Sequence, residues 1–450
     1  MAQAERPTDS SGVSYQSLIA SDAVPARWPL TEVNRYESDQ VTVPIARYVD
    51  RSYHELEMAH LWPRVWQMTC REEQITDVGD FHVYEIGRFS IIIVRTAEGL
   101  RAHHNVCRHR GRKLCDAHQG HSASFICPFH GFSWNLDGSN RSVTSDWDFP
   151  HVNRADFALT AVQVDTWGGW VFINMDLQAP PLAEHLGALP DHFRDWQPEA
   201  RYLQAWCAKV LPTNWKVTQE AFMEAFHVIT THPQILEGTG DENSQYDAWD
   251  TFSRAITPNG TPSPHLKHQL SEQALFDAVT MRYRNQSSLA EIPEGATARA
   301  VLGASMRQRW GGCFEDGQAI TDAEANDSIY YTLFPNFHPW GGLNGINYRF
   351  RPYGDRHDAC VMECFYLAPF NGERPPPAAM HWLDVDDDWT EASELGILAK
   401  VFQQDAFNLP QVQAGLEAAQ FDSITLARYQ ESKLRHFHAL LSEWVDARGA

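Results

Sequence analysis

Two short motifs of cysteine and histidine constrain this chain more than any other feature. The stretch CRHRGRKLCDAHQGHSASFICPFHGFSWNLDG runs from Cys107 to Gly138. It contains the motif Cys107-x-His109 and, after seventeen further residues, the motif Cys127-x2-His130. Thiolate and imidazole are donors that proteins use for zinc and for iron–sulfur clusters. The spacing therefore predicts that these four side chains hold a metal centre.

The mixed donor set distinguishes between the two kinds of centre. Structural zinc sites favour paired Cys-x2-Cys knuckles or Cys2His2 sets with His-x3–5-His spacing. Here each motif supplies one cysteine and one histidine, as a Rieske [2Fe–2S] cluster requires, with two cysteines on one iron and two histidines on the other. Cys115 and His118 lie between the motifs, and we expect them to be loop residues outside the cluster. The expected ligands are Cys107, His109, Cys127 and His130.

The composition is that of a large globular protein. The 450 residues are enough for two or three domains, and 43% of them are hydrophobic. The net charge of −22 at pH 7 argues against binding to nucleic acid or to an anionic membrane, both of which need basic surface. The sequence contains no run of eighteen apolar residues and no apolar signal-peptide core at its N-terminus. Eight cysteines are too few for a disulfide scaffold, so we expect a cytoplasmic protein.

Sequence patterns predict three regions, an N-terminal arm at 1–45, a strand-rich region at 46–175 and a mixed region at 176–450. The arm is polar and contains prolines, so we expect it to be loose and able to pack on a neighbour. FHVYEIGRFSIIIVRT (81–96) predicts a hairpin, and WGGWVFINM (167–175) predicts a strand after a Gly-Gly break. The later elements that we expect are a helix at 215–230, strands at 328–335, 345–351 and 359–368, a surface loop at 372–380 and a helical tail at 390–448.

The motif region resembles a known family. Segments very similar to CRHRG…CPFHGFSWNLDG occur in the large (α) catalytic subunits of the Rieske non-haem iron oxygenases, the ring-hydroxylating oxygenase family. The resemblance runs from about Trp62 to the tail. It implies an α+β protein, with a β-rich Rieske domain at 46–175 and a helix-grip (START-like) catalytic domain with an antiparallel sheet at 176–450. It also implies a second site, which holds a mononuclear Fe(II).

The segment NWKVTQEAFMEAFHVITTHP (214–233) is where we expect that second site. A helix here places Glu224 and His227 on one face, three residues apart. His232 lies just past the helix end, because the proline that follows it disfavours the α conformation. The two imidazoles converge if the helix loosens at Ile229–Thr231. Two histidines and one carboxylate form the facial triad of non-haem Fe(II) oxygenases, which leaves open positions for O2, water and substrate.

The third iron ligand must come from far downstream, because no acidic residue follows His232 immediately. Asp405, in AKVFQQDAFNLPQVQAGL (399–416), is the best candidate. This stretch resembles the family segment in which an acid precedes an apolar helix that ends in Gln and Gly. Closely spaced acids, as in WLDVDDDW, are more typical of a solvated loop. The rivals in that loop are Asp384, Asp386, Asp387 and Asp388.

Glu224 occupies the position at which family members usually carry Asp. By resemblance, that carboxylate links the iron site to a Rieske histidine of the adjacent subunit, so we expect Glu224 to act in catalysis; the alternative is a glutamate on the helix surface. Glu at this position is known among relatives that act on quaternary ammonium compounds, but it does not decide the substrate. Ala221 stands where aromatic-ring dioxygenases often carry Asn, which removes a polar group from the expected pocket.

We expect a broad and mostly apolar substrate pocket, although ordinary core is the alternative for most of its candidates. Arginine alternates with aromatic residues in MRYRNQ (281–286) and YRFRP (348–352). This alternation predicts strands with a solvated face, and an arginine clamp for a substrate carboxylate is the alternative. The pocket candidates are Phe222, Met223, Phe226 and residues 334–350, with Asn336 and His338 as polar anchors.

The two metal centres together predict an oxygenase. Activation of O2 at Fe(II) needs electrons one at a time, and the cluster passes them on. The sequence has no dinucleotide or flavin fingerprint, so we expect an NAD(P)H-dependent reductase as partner, with or without a ferredoxin. The expected reaction is the O2-dependent mono- or dioxygenation of a hydrophobic or aromatic small molecule. Oxidative demethylation and quaternary-ammonium monooxygenation are the alternatives. By resemblance the assembly is a head-to-tail homotrimer, with or without a β subunit.

Two other classes of function stay open on the sequence alone. A Rieske electron carrier fits residues 100–140 but leaves most of the chain unused. A START-like module that only binds a ligand needs no iron triad. Metal content separates the carrier from the oxygenase, because the oxygenase holds a mononuclear iron in addition to the cluster.

Overall fold

The computed structural model describes residues 12–284, 291–310 and 320–446. The first half of the chain forms α1 (Tyr15–Ile19), β1 (Thr42–Pro44), α2 (Ala46–Val49), α3 (Arg51–Leu56), β2 (Gln67–Arg71), β3 (Asp80–Ile86), β4 (Phe89–Thr96), β5 (Gly99–His104), β6 (Gln119–His121), β7 (Phe125–Ile126), β8 (Ser133–Trp134), β9 (Asn140–Ser142), β10 (Ala161–Trp167) and β11 (Trp170–Asn174).

The second half forms α4 (Leu182–Leu186), α5 (Leu189–Phe193), β12 (Tyr202–Leu211), α6 (Trp215–Ala221), α7 (Val228–Thr231), β13 (Gln245–Ala248), β14 (Phe252–Thr257), α8 (Glu272–Arg284), α9 (Ala298–Trp310), α10 (Asp322–Asn326), β15 (Ser328–Leu333), β16 (Phe337–Pro339), β17 (Ile346–Pro352), β18 (Cys360–Ala368), β19 (Met380–Leu383), α11 (Ile397–Glu417), β20 (Ser423–Thr425) and α12 (Ser432–Leu441). Among the described residues, no helix is long and apolar enough to span a membrane.

The first half is built on a sheet with the strand order β2-β11-β10-β5-β4-β3-β6. The hairpin expected at 81–96 is confirmed as β3 and β4, which turn at Gly87 with a positive φ of 55°. The apolar run in β4 is continuous because both of its faces are buried. Ile91 and Ile93 pack into the main core, whereas Ile92 packs into a separate core that includes the thiols of the two cysteine–histidine motifs. The strand expected at 167–175 is confirmed as β11.

The second half is built on a sheet with the strand order β13-β14-β15-β16-β17-β18-β12-β19. Neighbouring strands are antiparallel except for β12 and β19, which are parallel. The helices α6 and α11 cover one face of this sheet, and Phe402 of α11 shares a core with Tyr348 and Phe350 of β17. This is the helix-grip arrangement expected for the catalytic domain. The strands expected at 328–335, 345–351 and 359–368 are confirmed as β15, β17 and β18.

The C-terminal tail differs from the expectation. The prediction of a helical tail at 390–448 is wrong for the described residues, which extend to 446. The helices α11 and α12 are separated by β20, which pairs with β1 through Thr425 and Thr42. The loop at 372–380 does not lead directly into a helix either. It ends at β19, which pairs with β12 at the edge of the sheet. Both strands are short, and their partners lie far away in sequence, so local patterns do not reveal them.

The N-terminal arm packs on the second half of its own chain. Its helix α1 buries Tyr15 and Ile19, and the hydroxyl of Tyr15 donates a hydrogen bond to Asp327 Oδ2 at 2.9 Å. Further along, the N–H of Asn34 donates to Asp247 Oδ1 at 2.8 Å. The arm is therefore not loose from residue 12 onward, because it packs on its own chain. Residues 1–11 lie outside the described ranges.

A buried ion pair joins the two halves. Arg349 Nη2 lies 2.7 Å from Glu363 Oε1 on the neighbouring strand, and both side chains are almost completely buried. Arg349 Nη1 also donates to the carbonyl groups of Met68 and Thr69 in β2 of the first sheet. Burial by itself raises the pKa of Glu363, but the charges of Arg349 and Arg351 outweigh this effect and hold the pKa far below its usual range. YRFRP is therefore a strand, as predicted, but its first arginine faces a buried carboxylate and not solvent.

The other arginine–aromatic segment is not a strand in its described part. Residues 281–284 of MRYRNQ belong to α8, and residues 285 and 286 lie outside the described ranges. The alternation of arginine and aromatic residues, which repeats every two residues and predicts a strand, is therefore misleading here, because residues 281–284 are helical.

Replacement of Arg349 by Leu should destabilise the protein strongly. The change removes one partner from a buried pair, so we expect the free energy of unfolding to fall by roughly 3 kcal/mol. The control is Arg356→Leu, which breaks an exposed pair with Asp358 and should change that free energy by less than about 1 kcal/mol. Urea denaturation followed by tryptophan fluorescence measures both variants. Equal losses in the two variants would contradict the structural role of Arg349.

Candidate functional site: two metal centres

The two cysteine–histidine motifs lie in two loops that face each other. The thiols of Cys107 and Cys127 are buried, with exposed fractions of 3% and 1%. The rings of His109 and His130 are partly exposed, and their centroids lie 4.6 Å apart. The sulfur donors are thus inside the domain, and the two imidazole rings lie closer to its surface.

The two loops have the same backbone geometry. Gly111 and Gly131 have positive φ angles of 78° and 75°. Their N–H groups donate to the carbonyl groups of Cys107 and Cys127, both at 2.9 Å. Glycine adopts this conformation without steric strain, so a glycine after each pair of ligands permits the tight loop. The repeated geometry places each pair of ligands on an equivalent turn.

The local polar groups fit a cluster at this position. Burial and the neighbouring Cys127 raise the pKa of the Cys107 thiol, and the N–H groups of His109 and Arg110, which point at the sulfur, offset only part of this rise. Such N–H groups stabilise a thiolate and tune a cluster. Nδ1 of His109 is buried and has no hydrogen-bond partner among the described residues. A buried imidazole nitrogen without a protein partner is what a metal ligand requires.

The ring of His118 is engaged away from the two motifs. It packs on His82 and Trp206, with centroid distances of 4.4 and 5.4 Å. Trp206 belongs to β12, so His118 lies at the boundary between the two halves. These contacts support the expectation that His118 is not a ligand. Asn105 fixes the backbone of Cys115, accepting from its N–H at 2.9 Å and donating to its carbonyl group at 2.8 Å, and the exclusion of its thiol from the cluster stays a prediction.

Two cysteine variants test the assignment of the cluster ligands. Cys127→Ser should abolish the visible and EPR spectra of the cluster, because it removes one of the two sulfur donors. Cys115→Ser is the matched control and should keep both spectra. A Cys115→Ser protein without the cluster spectrum would contradict the assignment.

The three residues expected to bind the mononuclear iron come together in the second half. The ligand atoms of His227, His232 and Asp405 all lie within 4.8 Å of one another. His232 Nε2 is 3.0 Å and His227 Nε2 is 3.7 Å from the same oxygen, Asp405 Oδ1. His232 and Asp405 are buried, and His227 is partly exposed. The arrangement has the composition of a 2-His-1-carboxylate triad.

A break in the expected helix brings the two histidines together. The helix predicted at 215–230 consists of α6 and α7, which residues 222–227 separate. Glu224 Oε2 accepts the N–H groups of Phe226 and His227, the latter at 3.1 Å. This carboxylate therefore caps the start of the second segment, in the manner of side chains that satisfy free N–H groups at a helix N-terminus.

The position of the break differs from the prediction. The expectation that the helix loosens at Ile229–Thr231 is wrong, because these residues are helical. His232 lies directly after α7 with φ −126° and ψ 51°, outside the α conformation, as predicted for a residue before proline. A carboxylate three residues before a histidine fits a continuous helix equally well, so spacing alone does not reveal the cap.

The imidazole rings of the triad are oriented by neighbouring side chains. His227 Nδ1 lies 2.6 Å from Glu224 Oε1, and His232 Nδ1 lies 2.9 Å from Gln404 Oε1. Both contacts use Nδ1, so the Nε2 atom of each ring faces Asp405. Side chains that hydrogen-bond the second nitrogen of a metal-binding histidine usually orient its ring in this way. Burial lowers the pKa of His227, but the charge and hydrogen bond of Glu224 outweigh this effect and raise it to about 9. Sequence reasoning missed Gln404, although it directly precedes Asp405.

Two family models match the chain over these two regions. Residues 65–149 match the Rieske [2Fe-2S] domain, and residues 192–447 match the ring hydroxylating alpha subunit (catalytic domain). The second match covers more than half of the chain. The chain belongs to the ring-hydroxylating oxygenase α subunits. Its cofactors are therefore a Rieske [2Fe–2S] cluster and a mononuclear iron, and α subunits of this family take electrons from a reductase or a ferredoxin.

Curated relatives of this α subunit include monooxygenases and dioxygenases. The glycine betaine monooxygenase oxygenase subunit of Pseudomonas aeruginosa is 28% identical over 218 residues, which are 47% of this chain and 50% of that protein. The biphenyl 2,3-dioxygenase subunit alpha of Rhodococcus jostii is 33% identical over 207 residues, which are 43% of this chain and 44% of that protein. The chain thus spans about half the length of these relatives.

Solved structures of the family share the fold. A quaternary ammonium Rieske monooxygenase aligns with a TM-score of 0.65 at 15% identity, over 92% of this chain and 100% of that chain. Naphthalene 1,2-dioxygenase aligns with a TM-score of 0.64 at 18% identity, over 90% of this chain and 92% of that chain. These alignments confirm the expected fold, a β-rich Rieske domain followed by a catalytic domain with an antiparallel sheet.

The aspartates in WLDVDDDW, the alternatives to Asp405, lie in a turn that local hydrogen bonds hold together. The amino group of Lys209 donates to the carbonyl group of Asp384 at 2.8 Å and also to that of Asp387. The carboxylate of Asp388 accepts from the N–H and the hydroxyl of Thr390. Among the described residues, the grouping of metal-ligating atoms around His227 includes Asp405 and none of these aspartates.

An aromatic wall lies between α6, β17 and α11. The ring of Phe222 packs on Tyr348, Phe350 and Phe402, with centroid distances of 5.2, 5.3 and 5.9 Å. Phe222 is thus packed against the main core, and neither of the two cavities beside α11 includes it among its lining residues. Phe226 is 45% exposed at the surface.

The two expected polar anchors resemble each other in their hydrogen bonding. Asn336 Nδ2 donates to the carbonyl group of Phe350 at 2.7 Å, and His338 Nδ1 lies 3.1 Å from the hydroxyl oxygen of Thr332. Asn336 Oδ1 and His338 Nε2 are both buried without a hydrogen-bond partner among the described residues. The ring of His338 packs on Phe350, at 5.1 Å between centroids. Both residues therefore stay candidates for a polar group that contacts substrate.

Two cavities adjoin α11. A surface cavity of about 500 Å³ is lined by Glu224, His227 and Asp405, together with Val412 and neighbouring residues. A second cavity of about 600 Å³ lies at the other end of the helix and is lined by Leu398 and Ile346, among others. The first cavity exposes the Glu224 side of the triad to the surface of the subunit.

Proposed function

We propose that the protein catalyses the O2-dependent hydroxylation of a small, mostly apolar molecule, with electrons from an NAD(P)H-dependent reductase, directly or through a ferredoxin. The observation that carries the proposal is the convergence of His227, His232 and Asp405 beside an aromatic wall. Bound at the two sites, the iron supplies O2 activation and the cluster supplies its electrons. The triad is needed neither by a Rieske electron carrier nor by a START-like module that only binds a ligand.

Each side chain of the site has a distinct role in the proposal. Cys107, His109, Cys127 and His130 hold the cluster; His227, His232 and Asp405 hold the iron. Glu224 and Gln404 orient the two imidazoles through their Nδ1 atoms. The aromatic wall excludes water and positions an apolar substrate.

The aromatic wall favours aromatic or aliphatic substrates over carboxylates. Arg349 and Arg351 are not free to form an arginine clamp for a substrate carboxylate, because both bind the buried carboxylate of Glu363. The side chains of the arginines in MRYRNQ lie outside the described part of the chain. A quaternary ammonium compound is the second candidate, since aromatic faces such as those of Tyr348 and Phe402 attract cations. Relatives and fold neighbours of both kinds occur, so the choice between the two needs direct measurement.

A head-to-tail homotrimer fits the surface of the subunit. Apolar residues are exposed near the cluster motifs and also around the surface cavity beside the triad. Exposed apolar patches of this kind mark protein–protein contacts. Two different patches on one chain suit a heterologous interface, which closes into a ring. Such a ring places the cluster of one subunit against the iron site of the next. The residues are Ile126, Phe129 and Trp147 in the first patch and Phe226, Phe407 and Val412 in the second.

A single-turnover experiment tests the proposed reaction without the need for a particular reductase. The protein is reduced with dithionite, freed of excess reductant, and mixed with O2 and either an arene such as biphenyl or glycine betaine. We expect a product from one of the two substrate classes: either a hydroxylated arene that contains oxygen derived from 18O2, or dimethylglycine together with formaldehyde, which takes up the oxygen atom. Asp405→Ala should keep the cluster spectrum but lose mononuclear iron and product.

The control for Asp405 is Asp384→Ala in the rival loop, which should keep both iron and product. Normal iron binding and turnover in Asp405→Ala would contradict the proposed triad. A wild-type protein that is reoxidised by O2 without any iron beyond that of the cluster would instead indicate an electron carrier.

Glu224→Gln tests the proposed bridge between subunits. In the trimer, we propose that Glu224 binds His227 of its own chain and faces His130 of the adjacent chain. The variant should retain both metals and the trimer. The rate at which substrate and O2 reoxidise the pre-reduced cluster should fall roughly tenfold or more.

Glu237→Gln is the matched control, because Glu237 is an exposed glutamate shortly after the same helix. The cluster of this variant should be reoxidised at the wild-type rate, as measured by stopped-flow absorbance. If Glu224→Gln is as fast as this control, Glu224 is not on the route between the two metals.

A further inference from the structure

A second group of metal-ligating side chains lies apart from both iron sites. Cys207, His381 and Glu394 each offer one ligand atom, and these atoms lie within 4.8 Å of one another. Cys207 is on β12, and His381 is its register partner on the parallel strand β19. Glu394 lies in the single turn Ser393–Leu395, just before α11. The three residues belong to neither cysteine–histidine motif and to no part of the triad.

The three donors converge on one oxygen atom. Glu394 Oε1 lies 2.7 Å from His381 Nδ1 and 3.3 Å from Cys207 Sγ. The thiol of Cys207 donates a hydrogen bond to this oxygen. The Nδ1 atom of His381 lies within hydrogen-bonding distance of the same oxygen. A thiol and an imidazole therefore surround one carboxylate oxygen, and a divalent cation at this point would bind all three donors.

We propose that Cys207, His381 and Glu394 form a metal site for a divalent cation of the Zn²⁺ class. Zinc accepts sulfur, nitrogen and carboxylate oxygen in tetrahedral geometry, and three protein ligands leave the fourth position to water. The thiolate and the imidazole discriminate against Mg²⁺ and Ca²⁺, which prefer oxygen ligands. On binding, the thiol releases its proton to solvent, and the neutral imidazole adopts the tautomer with its proton on Nε2, so that the unprotonated Nδ1 atom binds the metal.

The site is accessible to an ion in solution. The side chains of His381 and Glu394 are 38% and 35% exposed. Glu394 also lines the 600 Å³ cavity at the start of α11. Cys207 is buried, but it faces the two exposed donors. An ion can therefore reach the carboxylate and the imidazole first and then displace the thiol proton.

The proposed site is separate from the triad but is connected to it through α11. Asp405 lies eight residues after Ile397, the first residue of α11, which is roughly 12 Å along a helix. The two sites share no ligand. A metal ion at the new site would tie the sheet edge formed by β12 and β19 to the start of the helix that carries Asp405.

Zinc titration of the iron-loaded holoenzyme tests the site. After addition of zinc sulfate and removal of the excess, we expect one additional equivalent of zinc per chain with an unchanged iron content. His381→Ala and Glu394→Gln change partly exposed side chains, so both variants should fold. Their zinc affinity should fall roughly tenfold or more. Cys70→Ser is the matched control, because Cys70 is a buried cysteine on β2 of the first half and belongs to no part of the proposed site.

Cobalt reports directly on the sulfur ligand. The spectrum of the Co²⁺-loaded enzyme minus that of the Zn²⁺-loaded enzyme cancels the absorbance of the cluster and should contain a thiolate-to-cobalt charge-transfer band. Cys207→Ser should lack this band. The triad has no sulfur, so a cation that displaced its iron would give no such band and would lower the iron content.

Three results would overturn the proposal. The first is that the holoenzyme binds no zinc while its iron content stays unchanged. The second is zinc that His381→Ala and Glu394→Gln retain with wild-type affinity. The third is bound cobalt without the thiolate band. None of these measurements uses turnover, so they succeed or fail independently of the proposed oxygenase reaction.

Discussion

The contact between Glu224 and His227 is the interaction on which the rest of the triad depends. One carboxylate oxygen accepts backbone N–H groups at the start of α7, and the other lies 2.6 Å from the imidazole. The same side chain therefore interrupts the helix and sets the orientation of the ring. Without the interruption, His227 and His232 would lie on a continuous helix and point in different directions. A local capping interaction thus creates a site that also needs a residue from far downstream, Asp405.

The cluster region is rigid for a different reason. Its two thiols belong to a core with Phe125, Phe132 and Trp134, and the Ile–Val run of β4 closes this core on one side. Buried aromatic side chains at close-packed density hold the two loops at a fixed separation. The imidazoles, in contrast, stay at the surface. This division suits a cluster that must be shielded on its sulfur side and approached from its histidine side.

Short sequence patterns predict those parts of the structure that depend on residues close together in the chain. The spacing of Cys107, His109, Cys127 and His130 carries the cluster motif, and continuous apolar runs identify β4 and β11. The cap by Glu224 is also local, but an i,i+3 pair has the same spacing in an intact helix, so the break stays hidden.

Other features depend on distant partners. The pairing of β1 with β20, the packing of the arm and the contact of Gln404 with His232 leave no periodic signal. Cys207, His381 and Glu394 come together only because β19 pairs in parallel with β12, which no short pattern indicates.

The joint between the two halves has a consequence for how such proteins change in evolution. On the catalytic side it depends on particular side chains, Arg349 and Glu363. On the Rieske side the acceptors are main-chain carbonyl groups of β2, at Met68 and Thr69. At Met68 and Thr69, any sequence that keeps the path of this strand presents the same acceptors. Elsewhere the joint needs particular side chains of the first half, because Glu57 pairs with Lys216 and Glu73 pairs with Arg374. A Rieske half from a relative therefore fits this catalytic half only if it keeps both the path of β2 and these two carboxylates.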